Sequence, residues 1–215
     1  MQAWHVMTGL FCVAGLTLRP SGAEPVTYRI TAGAGQSVRF EARTNTEKYA
    51  GQTDQISGEV RVDPQRIAAN PIAFFTVRPA GFSTGNGTRD SNMRRKHLGV
   101  DAFPTASFVL TALDLPTNGE ATGNKVSAVP TLSDGKPVAG SLRGMLTLHG
   151  VTKPVTAFAT VTRERDRGTG RDSLHIVARF VVRLKDYAIP TPRFLFLVTK
   201  QEHPVTIDVR AVATP

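Results

Sequence analysis

The chain contains 215 residues, of which 40% are hydrophobic and 20% charged, and this composition excludes an intrinsically disordered protein. Long runs of Leu, Ala, Glu and Lys at helical spacing are absent, which excludes a helix bundle. The formal net charge of +9 favours contact with anionic surfaces such as phospholipid, cell-wall polymer or nucleic acid. The cations are spread along the chain without a basic stripe interleaved with aromatic residues. We therefore predict no nucleic-acid partner. Two explanations of the positive net charge are left open: peripheral contact with an anionic membrane surface, and simple solubility.

The N-terminal segment has the layout of a secretory signal peptide. Residues 6–18 form an uncharged, mostly apolar stretch that is too short to span a bilayer comfortably. Ser21 and Ala23 then supply the small residues that precede a cleavage site. The first residues lack the usual Lys or Arg, which leaves a buried strand or a mis-assigned start codon as alternatives. We predict a signal peptide over residues 1–23, a mature domain over residues 24–215 and a periplasmic or secreted protein.

The mature sequence is dominated by alternation of apolar and polar residues. Val38, Phe40 and Ala42 alternate with charged residues, and the same pattern runs through residues 174–185. One apolar and one polar face is what an antiparallel sheet with a single solvated side requires. About nine runs predict strands, namely residues 26–31, 38–43, 56–63, 72–78, 105–113, 140–148, 154–163, 174–185 and 205–210. Turns that need positive φ are predicted between them at Asn86-Gly87, Asn118-Gly119, Asp134-Gly135 and Gly150.

One stretch breaks the strand pattern. Residues 90–98 begin with Asp90, a good N-cap, carry cations towards their end and are followed by Gly99, a natural residue after a helix. We predict a short helix there, capped by Asp90. Residues 114–137 are rich in Gly, Pro, Ser and Thr, which predicts a loop-like insertion between two strands. No linker or internal repeat divides the chain, and we predict one domain.

The strand pattern predicts an all-β fold. Eight or nine amphipathic strands in one domain close most readily into an antiparallel barrel, because closure removes the exposed edges, although a sandwich also fits the pattern. An outer-membrane barrel needs an outward apolar face with aromatic girdles, whereas this chain has three Tyr and a single Trp, which lies in the N-terminal segment. We therefore predict a barrel of about eight strands whose apolar face points inward.

Three sequence blocks go beyond a generic β protein: FSTGNGTRDSNMRR at residues 82–95, FPTASF at residues 103–108 and GMLTLHGVTKPVT at residues 144–156. Their order and spacing resemble the YceI-like family, also called the polyisoprenoid-binding or lipid-binding YceI domain, over nearly the whole predicted mature chain. The resemblance implies an exported, lipocalin-like β-barrel that holds a long isoprenoid or other lipid chain in its lumen. Two features depart from the family pattern, since the 114–137 segment is longer than expected and Arg94 stands where an apolar helix residue is usual. The matching motif positions are Thr84, Gly85, Asn86, Arg89, Asp90, Phe103, Pro104, Phe108, Gly144, Leu146, Leu148, Gly150, Val151, Pro154 and Val155.

The polar motif residues allow a structural and a functional interpretation. In the structural one, Asn86-Gly87 forms a tight turn, Asp90 caps the helix and Arg89 ties the turn to a nearby carbonyl or carboxylate. Pro154 would begin the strand after the Gly150 turn, where no ladder donor is needed. In the functional one, Arg89 and Asp90 contact a lipid head group. We predict the structural role for this group.

The alternation also predicts which residues would line a lumen. The inward apolar candidates on the strands are Phe40, Val60, Phe74, Phe108, Leu146, Val161, Phe180 and Ile207, together with the small residue Ala178. The candidates for the mouth of the barrel flank the predicted helix and are Phe82, Met93, Leu98 and Phe103. Burial of a ligand chain in the lumen contributes roughly 0.8 kcal/mol of binding free energy for each methylene-sized unit. A long chain therefore needs no charged partner inside the lumen.

The sequence thus predicts a binding protein, with three functions left open. The first is binding of a long apolar or amphiphilic chain, such as an isoprenoid quinone, a polyprenol or a fatty acyl derivative, with no cofactor other than such a ligand. The second is an envelope module of structural or stress-related role, which a lumen filled with large side chains would favour. The third is an enzyme acting on a lipid, which a buried pair of His and carboxylate opening into the lumen would favour.

The titratable residues give little support to an enzyme. His97, His149, His175 and His203 are far apart in sequence and lack metal-ligand spacing. No HExxH or CxxC pattern occurs, and the single GxSxG match, GFSTG at residues 81–85, carries no chemistry on its own. We therefore predict no catalytic residue and no metal ligand.

Overall fold

The computed structural model describes residues 24–115, 130–194 and 197–214, with the backbone alone at residues 193, 194, 197 and 198. The predicted signal peptide lies outside these ranges, as do the Asn118-Gly119 turn and most of the predicted insertion. Those predictions therefore remain predictions.

The described ranges contain strands and short helical segments. The strands are β1 (Val26–Ile30), β2 (Ser37–Arg43), β3 (Lys48–Thr53), β4 (Ile56–Val62), β5 (Ile72–Val77), β6 (Ala106–Asp114), β7 (Pro137–Leu148), β8 (Val151–Arg165), β9 (Asp172–Arg183), β10 (Arg193–Phe194), β11 (Leu197–Val198) and β12 (Glu202–Ala213). The helix α1 (Gly87–Asn92) continues into a π-helical turn at Met93–His97, and 3₁₀ turns lie at Pro79–Gly81 and Leu184–Tyr187. None of the helices in this part of the chain is long and apolar enough to cross a membrane.

The strands pair antiparallel and close into a barrel. Across the described residues, a ring of 8 strands runs in the order β1-β4-β5-β6-β7-β8-β9-β12, and it closes because β12 also pairs with β1. β2 pairs with another part of β12, and β3 pairs with β2. The pairs β1–β4 and β2–β3 are thus two halves of one bent hairpin in the barrel wall. This architecture confirms the predicted all-β antiparallel barrel.

Every predicted strand run corresponds to a strand, and burial follows the alternation. In β2, Val38 and Ala42 are buried while Arg39 and Glu41 are exposed. The sequence did not predict β3, because its residues KYAGQT do not alternate between apolar and polar. In the structure β3 pairs with β2 and lies at the end of the strand order. β10 and β11 have two residues each, which is too short for any period to be visible.

The helix begins earlier than predicted. α1 starts at Gly87, and its N-cap is Asn86, whose side chain accepts a hydrogen bond from the backbone N–H of Arg89 at 3.0 Å. Asp90 is therefore not the N-cap but a buried residue inside the helix. Positive φ falls on Gly85 and not on Gly87, so the tight turn lies one residue before the predicted Asn86-Gly87 turn.

The other end of the helix and two turns agree with the sequence. Gly99 follows the C-cap with a φ of 53°, as predicted for a residue after a helix. Gly135 and Gly150 have positive φ of 69° and 74° in their turns. His149 precedes Gly150 with a φ of 51°, and two such residues form the type I′ turn that fits the twist of a hairpin.

Pro154 does not begin β8, which starts at Val151 directly after this turn. Pro154 lies inside the strand, and in the described register β9 pairs with β8 only from Phe158 onwards. The missing N–H of Pro154 therefore falls where β8 has a neighbour on one side alone.

A solid apolar core closes one end of the barrel. Its most deeply buried side chains, Tyr28, Ile56, Leu174 and Val209, are at most 1% exposed. Burial of each such side chain is worth about 1.5–3 kcal/mol. Ile67 and Leu132 pack against them from connections outside the strands, which fills this end.

A partly buried ion pair lies at the closed end. Arg163 pairs with Asp172 between β8 and β9, and the hydroxyl of Tyr28 donates to the same carboxylate at 3.2 Å. Burial, together with the charge of Asp172, raises the pKa of Tyr28 to about 12. Tyr28 therefore stays a neutral donor at physiological pH.

Candidate ligand-binding cavity

A cavity of about 610 Å³ lies inside the barrel at the end that carries α1. Ligand pockets are typically about 300–1,000 Å³. The inward faces of β2, β5, β6, β7, β8, β9 and β12 supply a largely apolar wall. Exposed residues Glu47, Asn86, Thr88 and Lys96 also line the cavity, so it reaches the surface beside the helix. We call this end the mouth.

Most of the predicted lining residues lie on the wall of this cavity. Those that the structure brings together there are Phe40, Phe82, Met93, Leu98, Phe108, Leu146, Ala178, Phe180 and Ile207. Contact with a ligand remains a prediction for each of them.

Phe74 is a correction, because it lies on the outer face of the barrel and is 45% exposed. Its neighbour Phe75 lines the cavity instead. Phe74 pairs with exposed Val109, whereas Phe75 pairs with Phe108. The sequence prediction was wrong by one residue, and in a strand such a slip moves a side chain to the opposite face.

Three further predicted residues lie away from the cavity wall. Val60 and Val161 pack against the closed-end core, because the barrel is solid at their level. Phe103 packs against the ring of His149 with 4.4 Å between ring centroids. It therefore supports the β7–β8 turn instead of lining the mouth.

The sequence prediction missed several lining residues, for two different reasons. Val38, Ile176, Val182 and Val205 lie on the same strand faces as predicted residues, so the alternation itself could have identified them. Leu184, Ile189, Pro192 and Thr199 come from the 3₁₀ turn and the irregular connection that precedes β12, where no period exists.

Small residues leave room for the cavity. Ala157 and Ala178 lie on its wall, and both are buried in contact with Ala159. The ring of Phe40 lies over Gly51, where an added Cβ would approach it to 2.4 Å. The ring of Phe108 lies over Gly144 in the same way, because a Cβ added to Gly144 would approach that ring to 2.3 Å. The two aromatic rings can therefore lie flat against the wall instead of filling the lumen.

A network of polar residues holds the helix at the mouth. Asp90 is 6% exposed and accepts hydrogen bonds from Ser83 Oγ at 2.9 Å and from the backbone N–H and hydroxyl of Thr84 at 2.9 and 2.5 Å. Burial acts to raise the pKa of Asp90, but these hydrogen bonds outweigh it and hold the pKa below its usual range. The carboxylate is thus fully engaged in joining residues 83 and 84 to the helix.

Arg89 extends this network towards β3. Its Nε donates to Thr84 Oγ1 at 2.8 Å, and its guanidinium pairs with Glu47 at 3.3 Å. The guanidinium also lies 4.2 Å from the centre of the Tyr49 ring, a cation–π contact. These contacts make Arg89 a link between the helix and the β2–β3 hairpin. Arg89 also lines the cavity, so its position fits both the structural and the head-group interpretation of the motif.

Arg94, a departure from the family pattern, also has a structural contact. Its guanidinium donates to the carbonyl oxygen of Phe82 at 2.9 Å. Its charge is one of the effects that lower the pKa of Asp90. Arg94 therefore joins the segment before the helix to the helix itself.

The histidines of residues 24–214 that the structure describes form no site with carboxylates inside the cavity. His97 and His203 line it, and their Nδ1 atoms lie 3.0 and 3.1 Å from the carbonyl oxygens of Pro190 and Glu41. His175 meets a carboxylate, Asp208, at 2.8 Å, but this pair lies on the solvated outer face of the sheet. Among the residues that the structure describes, no cluster of His, Cys, Asp and Glu is placed to hold a metal ion.

Comparison with known proteins gives consistent results. The sequence matches the YceI-like domain over residues 28–212. It is 27% identical over 183 residues to the UPF0312 protein YE1254 of Yersinia enterocolitica, covering 83% of this chain and 84% of the relative. It is 25% identical over 185 residues to Protein YceI of Salmonella newport, covering 84% of this chain and 85% of that relative.

Two solved structures share the fold. A polyisoprenoid binding domain from Saccharophagus degradans, implicated in plant cell wall breakdown, has a TM-score of 0.61 and 16% identity, covering 88% of this chain and 99% of that one. BcnA of Burkholderia cenocepacia has a TM-score of 0.59 and 16% identity, covering 81% and 95%. With the family match spanning nearly all of the barrel, the chain belongs to the YceI-like domain family.

Proposed function

We propose that the protein binds one long apolar or amphiphilic chain in the barrel cavity. The observation that carries this proposal is a largely apolar cavity of about 610 Å³ that reaches the surface at one end and meets a solid core at the other. The polyisoprenoid binding named for the Saccharophagus structure supports the same class of ligand. The ligands that fit are isoprenoid quinones, polyprenols and fatty acyl derivatives, whose affinity comes from burial of methylene and methyl groups.

The two alternatives have less support. A structural module with a packed lumen is disfavoured by the cavity itself and by the small residues on its wall. For an enzyme, the described cavity residues offer histidines that are hydrogen-bonded to backbone carbonyls and not to carboxylates. Membership of the family also suggests a binding protein.

The proposal can be tested by filling the cavity. Ala178→Phe adds a ring where the wall is formed by small residues, so we expect affinity for the apolar probe diphenylhexatriene to fall at least tenfold while the barrel still folds. Val181→Phe is the matched control, because Val181 lies on the same strand but is 51% exposed on the outer face. Fluorescence titration and thermal melting of both variants provide the measurement. If Ala178→Phe is folded and binds the probe as tightly as Val181→Phe, the ligand site lies elsewhere.

We also propose that the protein is exported and meets anionic membrane surfaces. The basis is the sequence of residues 1–23 and the exposed cations Lys48, Arg95 and Lys96 close to the mouth. We expect protein recovered from the envelope of a Gram-negative host to begin at Glu24. An intact mass that retains Met1 would contradict export by this route.

A further inference from the structure

Two buried polar residues face an otherwise apolar part of the cavity. Of the polar side chains that are buried in the described part of the chain, Thr199 and His203 line the cavity. His203 is 7% exposed and belongs to β12. Val205 and Ile207, which follow on the same strand face, are apolar members of the same wall.

The hydrogen bond of His203 fixes which of its nitrogens carries the proton. Nδ1 lies 3.1 Å from the carbonyl oxygen of Glu41. A carbonyl oxygen only accepts, so Nδ1 carries the hydrogen in this contact. In the neutral ring, Nε2 is then an acceptor with a lone pair.

The neutral form is favoured by the surroundings of the ring. Burial lowers the pKa of His203, and this effect exceeds the opposing influence of the backbone carbonyls of Glu41 and Lys200. The ring of Phe40 lies edge-on to that of His203, with 6.3 Å between centroids, which adds apolar surface beside it.

Nε2 of His203 has no hydrogen-bond partner among the described residues and is shielded from solvent. A buried acceptor without a donor is destabilising, so such atoms in native proteins call for an explanation. A ligand group in the adjoining cavity would supply the missing donor.

We propose that Nε2 of His203 accepts a hydrogen bond from the ligand, and that the ligand is therefore a long chain bearing a hydroxyl or amide N–H group. This inference rests on the proposed function. It separates alcohols, phenols, quinols and amides, which donate, from hydrocarbons, ethers and carboxylates, which do not. Because Nε2 is shielded, the proposal requires the ring of Phe40 to turn aside when the chain enters, while His203 keeps its hydrogen bond to Glu41.

A pair of matched ligands tests the proposal. Geranylgeraniol and its methyl ether share one chain, but only the alcohol donates a hydrogen bond. We expect the native protein to bind the alcohol about 3- to 10-fold more tightly, which corresponds to one buried hydrogen bond. In His203→Leu the two ligands should bind equally, and the ether should bind about as tightly as it does to the native protein. His203→Gln keeps an acceptor and should restore part of the preference.

The outcomes separate this inference from the proposed function. Equal binding of the two ligands to the native protein, or a preference that survives in His203→Leu, overturns the role of His203 while chain binding stands. Failure of both ligands to bind overturns both. Nitrogen NMR of the native His203 ring gives a test without substitution: the alcohol, and not the ether, should shift the Nε2 signal, and a proton on Nε2 of the unliganded neutral ring would contradict the assignment.

Discussion

At the scale of single residues, Asp90 has the largest structural role at the mouth. Its carboxylate is buried and accepts three hydrogen bonds from Ser83 and Thr84, which lie before the helix in the chain. Asn86 performs the smaller task of capping the helix with one hydrogen bond. These hydrogen bonds give the family motif a structural role at this position, and contact with a lipid head group stays the alternative interpretation.

The difference between the two residues gives a stability prediction. Asp90→Ala leaves the three donors of Ser83 and Thr84, which are partly buried, without their acceptor, and we expect a loss of about 3 kcal/mol. Asn86→Ala removes an exposed cap and should cost about 1 kcal/mol. Urea unfolding of both variants measures the difference, and an equal or larger loss for Asn86→Ala would contradict the assignment of the cap.

The contribution of Asp90 should depend on pH. Its pKa in the folded protein lies below the ordinary value of about 3.9, so the stabilisation is present above that value and is lost as the pH falls through the folded pKa. The stability difference between the native protein and Asp90→Asn should therefore shrink in acid below about pH 4.

At the scale of elements, the sequence predicts those strands whose two faces differ in chemistry. In β9 the inward residues Ile176, Ala178, Phe180 and Val182 are all apolar and lie on the cavity wall, whereas most of the outward residues are polar. In β5 the run Ile72-Ala73-Phe74-Phe75 is apolar throughout, so the period does not identify the inward face. Pairing with β6 decides it, and pairing is a tertiary property.

The remaining elements depend on contacts that no local pattern encodes. β3 forms because the chain after β2 folds back and pairs with it, although the residues of β3, KYAGQT, show no apolar alternation. Asp and Asn are both good N-cap residues, so the sequence alone does not choose between Asp90 and Asn86. In the structure Asn86 is the N-cap, and Asp90 accepts hydrogen bonds from residues before the helix instead. The lining residues of the irregular connection before β12 and the orphan nitrogen of His203 likewise follow from packing between distant segments.

At the scale of the whole molecule, the barrel has two unlike ends. Tyr28 and Leu174 belong to an apolar core that closes one end, where the Arg163–Asp172 pair also lies. The other end contains the cavity, the helix and a polar mouth. A chain that enters through the mouth would end against the core, so the depth of the cavity limits how much of the chain is buried.

If this cavity holds a lipid chain in the cell, a mass spectrum of the lipid extracted from protein purified from its own host will show that lipid. We expect the native protein and Val181→Phe to yield a long-chain isoprenoid or fatty acyl compound at close to one molecule per protein, and Ala178→Phe to yield little of it. Native protein that releases no lipid above the background of a control purification, or folded Ala178→Phe that releases the same amount as Val181→Phe, would contradict the account.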